Sequence, residues 1–255
     1  EANLQYFGAG ANLCPLSTLP FLHQTTGGAV PTVSQIMDRV VVSHDWMGEV
    51  FEQFLATQAS DDLKRLFNGV TAIVIGAHVR PSFYYALTGA IYLDADNFWL
   101  TAEQRDVIDE APDFRSDFDR DLNYSSVWRY TENNLSIFVN FPATSRIART
   151  QSYLLAEAGW LLFHELAHAS DFLPPSERSR LSDNLGLSAW GFIEPLFSSG
   201  RLPSAVLSAT YPLQPVEMFG LAQVKFFGAT PTDLQKSYTP NQVAGFFAPY
   251  GATDE

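Results

Sequence analysis

The sequence predicts an α+β fold in which strands and helices are segregated along the chain. Three observations lead there. The β-branched and apolar runs 70–79, 89–100 and 134–141 all precede Pro142, and the strongest helical pattern covers 148–172. After Pro174-Pro175 the apolar residues recur at helical spacing between turns marked by Pro and Gly. With 255 residues, 46% hydrophobic and 17% charged, the chain can bury a substantial core. The expected organisation is one domain over 13–255 with two lobes and a cleft between them. The lobe of about 13–173 carries a small mixed β-sheet and the 148–172 helix; the lobe of about 174–255 is mostly helical. Residues 1–12, opening "EANLQYFGAG", hold the letters of a protease-site tag in a different order and are read as a tag-derived or disordered N-terminus.

Taken in order, "PTVSQIMDRVVVSHDWMGEVFEQFLATQ" (31–58) predicts one long helix, with Val33, Ile36, Val40, Met47, Val50 and Phe54 at spacings of three, four or seven. "DDLKRLFNG" (61–69) is a short helix with two acids in its first turn and Gly69 as its stop. "VTAIVIGAHV" and "GAIYLDADNFWL" are two strands. Thr101 and Gln104 form a capping box that opens the next helix. "APDFRSDFDRDLNYSS" (111–126) is a surface loop, and "NLSIFVNF" (134–141) is a third strand with Leu135, Ile137, Val139 and Phe141 on one face. Helical segments follow at 148–172, 185–197, 214–228 and 239–251.

Composition excludes several classes. A net charge of −13 argues against nucleic acid or an anionic membrane as the partner. Cys14 is the only cysteine, which rules out an internal disulfide and a cysteine-ligated zinc cluster. No run approaches the roughly 20 apolar residues of a membrane helix, and no signal peptide is visible.

The chemistry lies in "LLFHELAHASDF" (161–172). Residues four apart on a helix share a face, so His164 and His168 can offer two imidazole nitrogens to one ion. Catalytic zinc takes such ligands and keeps a position open for water. Glu165, about 100° around the helix from His164, is placed to act as general base on that water without ligating the metal. A third ligand is needed. After His168 the chain reads "ASDFLPP", without the Gly and His of an HExxHxxGxxH arrangement, so an acid from a later helix is expected. Asp171 shares the histidine face but sits close behind His168, better placed to receive a ring N–H or to brace the next loop. Glu217, opening the amphipathic "PVEMFGLAQVKFF" with Phe219, Val224 and Phe227 as its apolar anchors, is favoured; Glu194 in "WGFIEPLF" is its rival, and a ligand beyond Glu255 is a further alternative.

"HELAHASD" followed by "ATYPLQPVEMFGLA" resembles the gluzincin metallopeptidases, and among them the anthrax lethal-factor-like catalytic domain. The resemblance covers roughly residues 150–230. It implies a zincin-like fold, zinc as cofactor, and a peptide or protein as substrate. It makes His164, His168 and Glu217 the zinc ligands, Glu165 the base, and Tyr211 the hydrogen-bond donor to the oxyanion. Gly220-Leu221 stand where that group carries Ala-Glu, Ala167 replaces a common Gly, and Tyr211 is one residue nearer the ligand than in that group. The resemblance also implies an exported location, periplasmic or extracellular. It further suggests an edge strand that pairs with the substrate backbone, for which 89–100 and 134–141 are the candidates. The function expected is zinc-dependent endopeptidase; the alternative is a non-catalytic zinc-binding or scaffold protein that keeps the fold. His23, His44 and His78 are read as structural or surface residues, and Asp94-Ala-Asp96 as a turn.

Overall fold

The computed structural model of the chain describes residues 13–124, 144–210 and 216–247, and between the first two stretches 131–133, 135–137, 139 and 141–142. The chain mixes helices with a small four-stranded mixed sheet and divides into two compact units, 1–109 with 147–206 and 110–146 with 207–255. Pro174, where the second lobe was expected to begin, lies within the first unit. No helix among the described residues is long and apolar enough to cross a membrane.

The first unit opens with α1 (Leu22–Thr26), α2 (Val33–Met37), β1 (Val40–Val42), α3 (Asp45–Thr57) and α4 (Asp61–Leu66). β2 (Ile73–Gly76), β3 (Phe83–Tyr85), β4 (Ala90–Asp94), a 3₁₀ turn at Ala95–Asn97 and α5 (Ala102–Arg105) follow. After the second unit's first stretch come α6 (Gln151–Phe172), a 3₁₀ segment at Pro175–Asn184, α7 (Ala189–Ser198) and α8 (Pro203–Thr210), within which the division falls. The expected 31–58 helix is thus three elements. Thr32 and Gln35 cap α2 reciprocally, and then the β-branched Val40–Val42 run pairs in parallel with β2, Val40 opposite Ile73 and Val42 opposite Ile75. Helical periodicity across 31–58 was real in the flanks, but three consecutive valines gain more as a ladder than as a helix turn.

The sheet has the order β1-β2-β4-β3, with β1, β2 and β4 parallel and β3 antiparallel at the edge. Ile73, Ile75, Ile91 and Leu93 are buried, and Phe51 meets Phe67 and Phe98 edge to face at 6.3 and 5.8 Å. Each such side chain contributes about 1.5–3 kcal/mol by leaving water. Against this core lie α3, which packs on β1 and β2, and α6, which packs on β3 and β4. The 89–100 run supplies β4, an interior strand, so it offers no edge. The edges are β1 and β3, and the "FYY" of β3 is too short between Pro81-Ser82 and Thr88-Gly89 to stand out as a strand in the sequence.

In the second unit, residues 110–124 form turns, β5 (Thr131–Glu132) and β6 (Leu135–Ser136) make a two-stranded ribbon, and α9 (Val216–Phe227), α10 (Asp233–Ser237) and α11 (Pro240–Phe247) follow. Among the described residues of the third strand expected over 134–141, only β6 is a strand, and Leu135 is 73% exposed. Leu221, Tyr238 and Val243 form the buried centre of this unit, and the Lys225 ammonium meets the Asp119 carboxylate at 2.5 Å. Of the α9 residues expected to anchor that helix, Val224 is buried, whereas Phe219 and Phe227 are exposed. Leu221 takes the place of Phe219 because it lies three residues before Val224 on the same stripe.

Candidate metal centre

The motif falls where expected, near the C-terminal end of the 22-residue α6. Leu154, Ala158, Leu161, Leu162, Leu166 and Ala169 form its buried face, the three-to-four spacing that drives an amphipathic helix onto a core. Buried arginines hold both ends. Just before α6, the Arg149 guanidinium lies 3.7 Å from the centroid of the Trp99 ring, donates to the Trp99 carbonyl at 2.8 Å, and pairs with Glu157. At the other end, Arg178 (6% exposed) donates to the Leu173 carbonyl at 3.2 Å and contacts Ser170 Oγ at 3.4 Å. A cation there complements the negative end of the helix dipole. Gly69 makes room for it, since a Cβ at that position would lie 3.1 Å from Arg178 Nη2.

On this fixed helix His164 and His168 are exposed, and their Nε2 atoms face each other at 3.2 Å with ring planes 85° apart. Two imidazoles on one tetrahedral zinc, each bonded at about 2.0–2.1 Å, place their nitrogens about 3.3 Å apart. The Nε2 separation of the pair matches that distance. The same approach lets one ring donate an N–H to the other when no ion is bound. Desolvation by the surrounding side chains holds both rings below the usual imidazole range; His168 adds to the effect on His164, and the Asp171 carboxylate opposes it at His168. Neutral rings are the form that binds a metal. Trp160, one turn before His164, packs on its ring with centroids 5.1 Å apart.

Glu165 lies one residue around the helix, within its buried face, and is only 3% exposed. The remaining candidates each have surroundings of their own. Asp171 gives both carboxylate oxygens to Ser204, accepting from its backbone N–H at 2.7 Å and from its hydroxyl at 2.6 Å. That decides between its two expected uses in favour of bracing the chain. Glu194 accepts a hydrogen bond from Ser198 Oγ, one turn along α7. Glu217 is in the first turn of the second unit's α9 and is exposed; Tyr211 lies outside the described residues. Among the described residues, no group of three His, Cys, Asp or Glu side chains is assembled that could hold a metal.

The other polar residues singled out have structural partners. Asp94 accepts from the Asp96 N–H and from Arg80 Nε, both at 2.9 Å, and Asp96 accepts from Trp99 Nε1 at 3.0 Å. The paired acids are thus a turn held by Arg80 and Trp99. His44 contacts Ser43 Oγ at 3.0 Å and His78 contacts Asp109 at 3.2 Å. His23 sits against Gly28, whose added Cβ would lie 3.0 Å from the ring. Sequence reasoning missed Trp160, Ser204 and the edge strand β3. The first had a signal, since 160, 164 and 168 are spaced four and four; the other two depend on tertiary pairing. Compared with protein families, curated proteins and solved structures, the chain gives no significant match.

Proposed function

We infer that the chain is a zinc-dependent peptidase built on the His164–His168 pair. The observation that carries this reading is the 3.2 Å separation of the two Nε2 atoms on an HExxH helix, with both rings exposed and their pKa values lowered by desolvation. Glu217 is proposed as the third, anionic ligand. It continues the Leu221–Val224 stripe of α9 one turn toward the N-terminus, yet stays exposed. When bound, the metal supplies a water of lowered pKa and polarises the scissile carbonyl.

The chain's own residues do the rest. Glu165 accepts the proton of the attacking water and delivers it to the leaving amine nitrogen. Its near-complete burial keeps bulk water from competing for that carboxylate. Tyr211 donates its hydroxyl to the oxygen that becomes negative in the tetrahedral intermediate. The edge strand β3, which packs with α6, offers backbone groups for an extended peptide to pair with. An unlabelled or fluorogenic peptide mixture should be cleaved by the parent protein, with activity removed by a chelator and restored by zinc. Cleavage that survives complete chelation would rule out this mechanism.

The second reading, a zinc-binding protein without catalysis, draws on the deep burial of Glu165. It expects zinc to bind while no peptide in the mixture is cut.

A further inference from the structure

The start of α8 lacks a cap of its own. The Leu202 carbonyl accepts the first helical bond from the Val206 N–H at 3.0 Å, which makes Leu202 the N-cap residue. Its side chain is apolar and buried, with no oxygen to offer the helix. Pro203, the first helical residue, has no N–H, so Ser204 is the first backbone donor left without an intrahelical acceptor. That donor is met by Asp171 of α6, at 2.7 Å to one carboxylate oxygen, while the Ser204 hydroxyl donates to the other at 2.6 Å. Both bonds are short and charge-assisted, and a carboxylate at a helix N-terminus is favoured by the dipole. Asp171 in turn lies on the ligand face of α6, three residues after His168. The helix that presents the histidines therefore supplies the cap of the helix that leads, in sequence, to Tyr211 and Glu217.

We propose that Asp171 is a positioning residue: it caps α8 from the histidine face of α6 and so holds the His168 turn and the start of the chain leading to the third ligand in one fixed arrangement. The capping role stands on the hydrogen bonds alone; its effect on metal affinity rests on the zinc reading above. Two variants separate geometry from charge. In Asp171→Asn the amide oxygen still accepts from the Ser204 N–H and the amide N–H₂ donates to Ser204 Oγ, whereas Asp171→Ala removes both contacts.

The test reads two quantities on the full chain. Amide hydrogen exchange over residues 204–207 should quicken roughly 10-fold in Asp171→Ala, as expected for a lost cap, and stay near the parent rate in Asp171→Asn. Zinc affinity, measured by competition with a chelating dye, should fall by up to about 10-fold in Asp171→Ala, the most that losing a helix cap of ordinary strength transmits to the His168 turn, with rescue in Asp171→Asn. Ser204→Ala should be intermediate, and adding it to Asp171→Ala should change nothing further. Unchanged exchange in Asp171→Ala overturns the cap. Faster exchange with parent-like zinc affinity overturns the positioning role, and so does an Asn variant as weak as the Ala variant. If the parent itself takes up no zinc, the peptidase reading and its metal arm fall together, and the exchange arm still decides the cap.

Discussion

Replacing Glu165 with Gln is expected to leave zinc bound and the fold intact while peptide hydrolysis falls by about 10²–10⁴-fold, the range for removing a general base. Glu165 does not ligate in the proposed site, so the histidine pair with its 3.2 Å Nε2 separation is untouched. Gln has nearly the same volume, which matters because residue 165 is 3% exposed. What the substitution removes is the proton acceptor, so turnover should drop with little change in KM. Parallel measurements of zinc content, thermal midpoint and turnover separate this outcome from misfolding. A Gln variant that cleaves at the parent rate would remove Glu165 from the mechanism, and zinc bound without any parental cleavage would favour the non-catalytic reading.

The second large effect concerns the metal's anionic ligand. Two neutral imidazoles hold zinc weakly, and a catalytic site ordinarily has three protein ligands. Glu217→Ala should therefore cost more zinc affinity than the about 10–100-fold that an outer partner is worth. Glu194→Ala should cost little, because its carboxylate is occupied by Ser198 on its own helix. Tyr211→Phe should spare the metal and depress turnover, since a well-aimed oxyanion donor is worth about 2.7–4 kcal/mol in the transition state. Loss of zinc in Glu194→Ala with retention in Glu217→Ala would overturn the ligand assignment, and with it the role given to Tyr211.

What could be read from the sequence was local. An HExxH pattern with buried-face leucines at helical spacing fixes the face of α6 on which the two histidines sit, and their meeting follows from helix geometry alone. The strands at 70–79 and 89–100 were legible for the same reason, each being a self-contained β-branched or apolar run. Features set by partners were not. Val40–Val42 has a helical neighbourhood, and only pairing with β2 makes it a strand. "FYY" becomes an edge strand only beside β4. Leu135 and Val139 alternate as strand residues should, yet both are exposed. Asp171 had two plausible uses in the sequence, and the position of Ser204 selects one. The proposed third ligand belongs to this second kind: no spacing rule links Glu217 to His164, because the separation in sequence is bridged by several independent elements.

The central claim, that His164 and His168 hold a zinc ion, is tested most directly by counting metal. Parent protein and the His164→Ala/His168→Ala double variant, purified without chelators and equilibrated with equal zinc, are compared by elemental analysis after removal of loosely bound ions. About one zinc per chain is expected in the parent and essentially none in the double variant, with both folded by circular dichroism. A parent without zinc, or a double variant that keeps its full complement, would contradict that claim.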